Sequence, residues 1–132
     1  MRILVVDDSF FMRRIIMKML CEAGYIDFLE AENGQKATEM YKSYRPNLVI
    51  MDLNMPELDG LGALKKIMNI NPLAKVLMCT SMGGQKYIAD ELMNDGAEQV
   101  IEKPYFQDLV MAVNRVEKEQ REELQRLKSF VQ

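Results

Sequence analysis

At 132 residues the chain has the length of a single domain, long enough to bury a core without disulfides or a structural zinc. Its 17 lysines and arginines nearly balance 20 aspartates and glutamates, for a formal net charge of −3, and no basic stripe runs through it, which argues against direct nucleic-acid binding. Histidine is absent, which excludes Ser-His-Asp and Cys-His catalysis, histidine metal ligation and a phosphohistidine formed on this chain.

The apolar period alternates along the sequence. Ile3 to Val6 is a short, continuous β-branched run, the pattern of a strand buried on both faces. It is too short for a signal peptide, and no later stretch approaches a membrane span, so a soluble cytoplasmic protein without membrane partners is expected. Met12, Ile15, Ile16, Met19 and Leu20 then recur at helical spacing, with Gly24 as the stop. Asp27 to Ala31 reads as a weaker, edge-like strand. Ala37, Met40, Tyr41 and Tyr44 mark a second helix closed by Pro46, and Leu48 to Met51 a third strand. Leu61, Leu64, Ile67 and Met68 give the third helix, and Lys75 to Cys79 the fourth strand. Tyr87, Ile88, Leu92 and Met93 form the fourth helix, stopped by Gly96. Gln99 to Glu102 is the fifth strand, and a long helix begins at about Tyr105. Five βα units predict a parallel α/β sheet with helices on both faces. Cys21 and Cys79 lie in apolar stretches without metal spacing and are expected to be buried, reduced thiols. Most of the twelve methionines fall on core-facing positions, whereas Met55 and Met82 come just after strand ends.

Four of the apolar runs end in polar chemistry. Asp7 and Asp8 close the first, Asp52 the third, Thr80 and Ser81 the fourth, and Lys103-Pro104 the fifth. In an open parallel sheet the carboxyl ends of the strands share one crevice, so three carboxylates, a hydroxyl pair and one ammonium are expected to meet there. Like charges held together raise one another's pKa unless a cation neutralises them, which implies a metal and, with it, phosphate chemistry. Taken singly, the residues have plainer roles. Asp8 or Ser9 reads as a helix cap, Asp59-Gly60 as a cap and turn, Thr80 as a strand-end hydroxyl and Lys103 as a surface charge. Independent caps give no reason for convergence on the one available counter-charge.

The segments Val-Val-Asp7-Asp8-Ser9, Asp52-Leu-Asn54-Met-Pro56-Glu-Leu-Asp59-Gly60, Met-Cys-Thr80-Ser81 and Lys103-Pro104 together resemble a response-regulator receiver domain, most like the single-domain, CheY-like chemotaxis regulators. The resemblance covers residues 1–116 and leaves 117–132 as a C-terminal helical extension. It implies a flavodoxin-like, doubly wound sheet of order 2-1-3-4-5 with five helices, the last extended. By the same resemblance Asp52 is the phosphoacceptor, taking phosphate from a histidine kinase or phosphotransfer protein. Mg2+ is held by Asp7, Asp8, Asp52 and the backbone carbonyl of Asn54. Lys103, Thr80, Ser81 and Asn54 contact the phosphoryl group, Asn54 and Met82 govern water access, and the Lys103-Pro104 bond is cis. Output passes to a partner such as a flagellar motor switch component.

One position departs from the family. The switch residue that partners Thr80 is usually Tyr or Phe, three residues before the lysine, and here it is Val100. A β-branched aliphatic has few rotamers and no polar handle, so the output face of the fourth helix, fifth strand and fifth helix must change by other means, with the Gly83-Gly84 loop the suggested route. Two other classes compete. An aspartyl-phosphate phosphohydrolase wants a D-x-D at the first strand's end, where this chain has Asp7-Asp8-Ser9. A flavin-binding relative needs a glycine-rich phosphate loop where it has two acids. A receiver detached from a longer regulator with an effector domain is the nearer alternative. In the extension, Glu117 with Arg121 and Glu122 with Arg126 are i,i+4 pairs in the favourable order, and Leu124, Leu127 and Val131 form a narrow apolar stripe. That stripe reads as a homodimer contact, a docking helix for a partner, or a solvated tail.

Overall fold

The computed structural model describes residues 1–55, 59–81, 86–103 and 106–131. Met82, the Gly83-Gly84 loop and Pro104 of the Lys103-Pro104 bond lie outside these residues. In chain order the elements are β1 (Arg2–Val6), α1 (Phe10–Glu22), β2 (Asp27–Ala31), α2 (Gly34–Tyr44), β3 (Leu48–Asp52), α3 (Gly60–Ile70), β4 (Val76–Thr80), α4 (Lys86–Asn94), β5 (Gln99–Glu102) and α5 (Phe106–Val131). All strand pairs are parallel, in the order β2-β1-β3-β4-β5.

Each strand splits its side chains between two cores. Leu4, Val6, Val49, Met51, Val76 and Met78 face α2, α3 and α4, meeting Ala37, Tyr41, Ala63, Leu64, Ile67 and Leu92. Ile3, Val5, Leu48, Ile50, Leu77, Cys79 and Ile101 face α1 and α5, meeting Ile16, Leu20, Leu109, Val113 and Val116. β3 and β4 are buried along their whole length, as continuous apolar runs covered on both faces should be, whereas the edge strand β2 is mostly half-buried.

Among the described residues, side-chain caps open three helices. Ser9 accepts from the Met12 amide at 3.1 Å, Asn33 from the Lys36 amide at 2.7 Å and Asp59 from the Gly62 amide at 2.8 Å, each contributing about 1 kcal/mol. The cap of α1 is therefore Ser9, which leaves Asp8 outside the helix. Gly24 and Gly96, the stops of α1 and α4, have φ of +105° and +110°, a region that a side chain disfavours.

Three side chains expected inside are exposed. Cys21 and Met93 each lie one residue past a buried leucine, Leu20 or Leu92, and so about 100° further round their helices. Tyr44 ends α2, where Arg45 turns the chain in the left-handed region, and it projects past the core that covers Tyr41. Of the methionines, Met51, Met55 and Met78 are buried, six pack at the margins of the two cores, and Met93 and Met111 face solvent. α5 is continuous to Val131, but its buried face ends at Val116. The Gln120 side chain then donates to the Asn47 carbonyl at 2.9 Å. Beyond it Leu124, Leu127, Phe130 and Val131 are all more than half exposed on about 17 Å of helix. Arg121 pairs with Glu117 as its spacing predicts, whereas Arg126 takes Glu123 at i,i+3, 2.8 Å away, in place of Glu122, which lies 3.9 Å from Lys118.

Candidate functional site

Strand parity explains which side chains meet. Ile3, Val5 and Asp7 alternate onto the α1/α5 side, as do Leu48, Ile50 and Asp52 on β3, and Ile101 and Lys103 at the end of β5. The register sets Asp52 opposite Cys79 and Cys79 opposite Ile101, so the three polar ends emerge together. The Lys103 ammonium lies 2.9 Å from Asp7 Oδ2 and 3.3 Å from Asp52 Oδ1. All three side chains are largely buried, with Asp7 nearly inaccessible. Asp8 is exposed beside them, and one oxygen each of Asp7, Asp8 and Asp52 lies within 4.8 Å of the others.

Asp7 is fixed at every polar atom. Its amide donates to the Ala31 carbonyl at 3.2 Å, its Oδ1 accepts from the Ser9 amide at 2.9 Å, and its carbonyl accepts from the Arg13 guanidinium at 2.6 Å. Asp52 is held less tightly, accepting from the Asn54 amide at a long 3.4 Å. Burial pushes the Asp52 carboxyl above its ordinary range; the Lys103 ammonium pulls it back and the Asp7 charge adds to the rise. Burial works against the Lys103 charge, but its hydrogen bond to Asp7 and the charge of Asp52 outweigh that and hold the ammonium more firmly protonated.

Three carboxylates against one ammonium leave a formal surplus of two negative charges. An all-oxygen set of this charge suits a hard divalent cation. Magnesium sits about 2.0–2.1 Å from its ligands, so two oxygens on one ion are no more than about 4.2 Å apart. Oxygens within 4.8 Å reach that distance with small side-chain rotations. The residues present fit Mg2+.

The other expected site residues divide by face. Thr80 is buried on the α3/α4 side, and its carbonyl accepts from the Lys103 amide at 2.8 Å, which ties the end of β4 to the lysine. Val100 is partly buried on that same side, paired in register with Met78 two residues before Thr80 meets Glu102. Ser81 and Asn54 are exposed at their strand ends. Met55, the other methionine at a strand end, is buried in the α2/α3/α4 core. Two participants are not legible as site residues in the sequence. Gly60 reads as a turn, yet its amide donates to the Leu53 carbonyl at 3.0 Å, and a Cβ there would meet the Asp52 carbonyl oxygen and stand 2.7 Å from Leu53 Cα. Arg13 reads as one of three basic residues on α1, and its contact with Asp7 depends on the fold that brings Glu30 beside it.

Residues 3–114 match the family described as response regulator receiver domain. The chain is 45% identical over 115 residues to the chemotaxis protein CheY of Bacillus subtilis, an alignment covering 86% of this chain and 95% of that one. A crystal structure of a CheX–CheY complex with BeF3 and Mg2+ from Borrelia burgdorferi superposes with a TM-score of 0.82 at 27% identity, covering 87% of each chain. The Brucella abortus NtrX structure superposes with a TM-score of 0.80 at 28% identity, covering 99% of this chain and 29% of that one. The order of the sheet, the acidic cluster beside Lys103 and these likenesses agree: the chain belongs to the response regulator receiver domain family, the signalling domain of two-component systems.

Proposed function

We propose that the chain is a phosphorylation-controlled binding module in which Asp52 is the phosphoacceptor. The observation that carries this reading is the constellation at the strand ends, in which the buried Asp52 carboxylate lies 3.3 Å from the Lys103 ammonium, beside two further carboxylates within 4.8 Å. In the proposed reaction an oxygen of ionised Asp52 attacks the phosphorus of a phosphohistidine on a histidine kinase or phosphotransfer protein. The P–O bond forms as the P–N bond breaks, and the imidazole leaves with the electron pair and takes up a proton. Asp7, Asp8, Asp52 and the Asn54 carbonyl would hold Mg2+, whose charge counters that of the incoming phosphoryl oxygens. Lys103 holds one phosphoryl oxygen as a point charge, and the hydroxyls of Thr80 and Ser81 and the Asn54 side chain bond the rest. Water later attacks the phosphorus, the P–O bond to Asp52 breaks, and phosphate and the carboxylate are released; Asn54 and Met82 set the access of that water.

The output is a change in binding on the face of α4, β5 and α5, driven by Thr80 without an aromatic at Val100. The likeness to a chemotaxis protein supports a cytoplasmic chemotaxis pathway with a flagellar motor switch component as the output partner. The match of 99% of this chain to 29% of NtrX supports a second reading, a receiver continuing into an effector domain. In both, residues 1–116 are the receiver and 117–132 a helical extension whose apolar stripe contacts a second copy or a partner. An aspartyl-phosphate phosphohydrolase would turn over a small phosphate ester many times. Here, incubation with acetyl phosphate should add one phosphate by intact-mass spectrometry with Mg2+ and none with EDTA; equal labelling in EDTA, or catalytic turnover of the ester, contradicts the proposal.

A further inference from the structure

We infer that Arg13 is a positioning residue that aims Asp8 at the metal site by holding the Asp7–Asp8 peptide plane. The inference rests on the metal-site reading proposed above. The Arg13 side chain is 11% exposed, and its guanidinium makes two directional bonds. Nη1 donates to the Asp7 carbonyl at 2.6 Å, and Nε donates to Glu30 Oε1 at 3.1 Å. Glu30 stands on β2, and Arg14 adds a second, longer pair to its other oxygen at 3.6 Å. The Phe10 ring lies 5.6 Å from the Arg13 guanidinium carbon and 4.9 Å from that of Arg14. The guanidinium is thus clamped to the sheet edge while it grips one backbone oxygen.

That oxygen belongs to the peptide unit that leads directly into Asp8. Asp7 is already fixed by Ala31, Ser9 and Lys103, so its own carboxylate does not need Arg13. Asp8 is exposed, and its orientation is set by the preceding peptide, whose free rotation is stopped at the carbonyl. Ser9 caps α1 immediately afterwards, so the bond from Arg13 and the cap at Ser9 bracket Asp8 on both sides. A charge-assisted bond of this length at a largely buried position is suited to holding geometry.

Electrostatics alone predicts the opposite effect, since removing a cation beside a dication site should tighten metal binding. The sign therefore separates the two. Calorimetric titration with Mg2+ alone should show weakening by about tenfold in Arg13→Met, the lower end of what loss of a group orienting a metal ligand costs. Arg13→Lys keeps the charge but lacks the fork needed to hold Asp7 and Glu30 together, and it too should bind Mg2+ more weakly. If Arg13→Met does not fold, Arg13→Lys decides the matter. Either variant binding Mg2+ as tightly as the parent, or more tightly, overturns the inference. Asp8→Asn keeps the two ideas apart: undiminished Mg2+ binding in that variant removes the metal site itself, whereas weakened binding there with intact binding in either Arg13 variant removes only the role of Arg13.

Discussion

Replacing Gly60 by alanine tests how closely α3 is drawn against β3. A glycine-to-alanine change at the start of a helix ordinarily stabilises, by up to about 1 kcal/mol from helix propensity and unfolded-state entropy. At Gly60 the added methyl would be driven into the Asp52 carbonyl oxygen and to 2.7 Å from Leu53 Cα. Both are backbone atoms, and Leu53 is pinned by bonds from Gly60 at 3.0 Å and to Cys79 at 2.8 Å, so neither yields as a flexible side chain would. Overpacking of this kind costs about 1–3 kcal/mol, and a backbone obstacle places it at the upper end. Net of the propensity gain, the loss is about 2 kcal/mol, which for a chain of this size lowers Tm by about 8 °C. Thermal unfolding monitored by circular dichroism in EDTA measures it. Gly24→Ala is the control: its φ is +105° and nothing lies within 4 Å of the added atom, so it should lose about 1 kcal/mol from the dihedral alone. A Gly60→Ala protein as stable as the parent, or more so, refutes the close approach of α3.

The raised pKa of Asp52 means that its ionised form opposes folding: stability is greatest where Asp52 is protonated and is lost as pH rises from the ordinary carboxylate value of 3.8 through the folded one. Asp52→Asn should therefore raise Tm at neutral pH without Mg2+, with the gain vanishing below that ordinary value; a fall in Tm at neutral pH contradicts this. Burial pushes the Cys79 thiol up to about 12, while Cys21 is exposed, so iodoacetamide on the native protein should add one group, at Cys21, and a second adduct without unfolding would be a failure. If Leu124, Leu127 and Val131 join two copies, the chain should sediment as a dimer at concentrations where a chain ending at Val116 is monomeric; two monomers, with or without Mg2+ and beryllofluoride, exclude that contact.

Four of the strands are legible because each is a compact apolar run closed by polar residues, and the weaker β2, like β5, has the bounds its sequence predicts. Convergence of Asp7, Asp52 and Lys103 comes from parallel topology and the two-residue period. Depth of burial is less legible. Periodicity marks a face of a helix but not how far the sheet extends beneath it, so Cys21, Tyr44 and Met93 have the spacing of a core that does not reach them. Choice among ion-pair partners depends on rotamers, which is why Arg126 finds Glu123. Arg13 and Gly60 act through contacts made only once β2 meets α1 and α3 returns to β3, and local sequence carries no sign of either.

The proposed switch depends above all on Asp52 alone taking the phosphate. After acetyl phosphate treatment in Mg2+, borohydride reduction converts an acyl phosphate to the corresponding alcohol and marks its residue for peptide mapping. Homoserine is predicted at position 52 and nowhere else, with no mark in EDTA or in Asp52→Asn. A mark at Asp7, Asp8 or Asp59, or full phosphate uptake by Asp52→Asn, would contradict it.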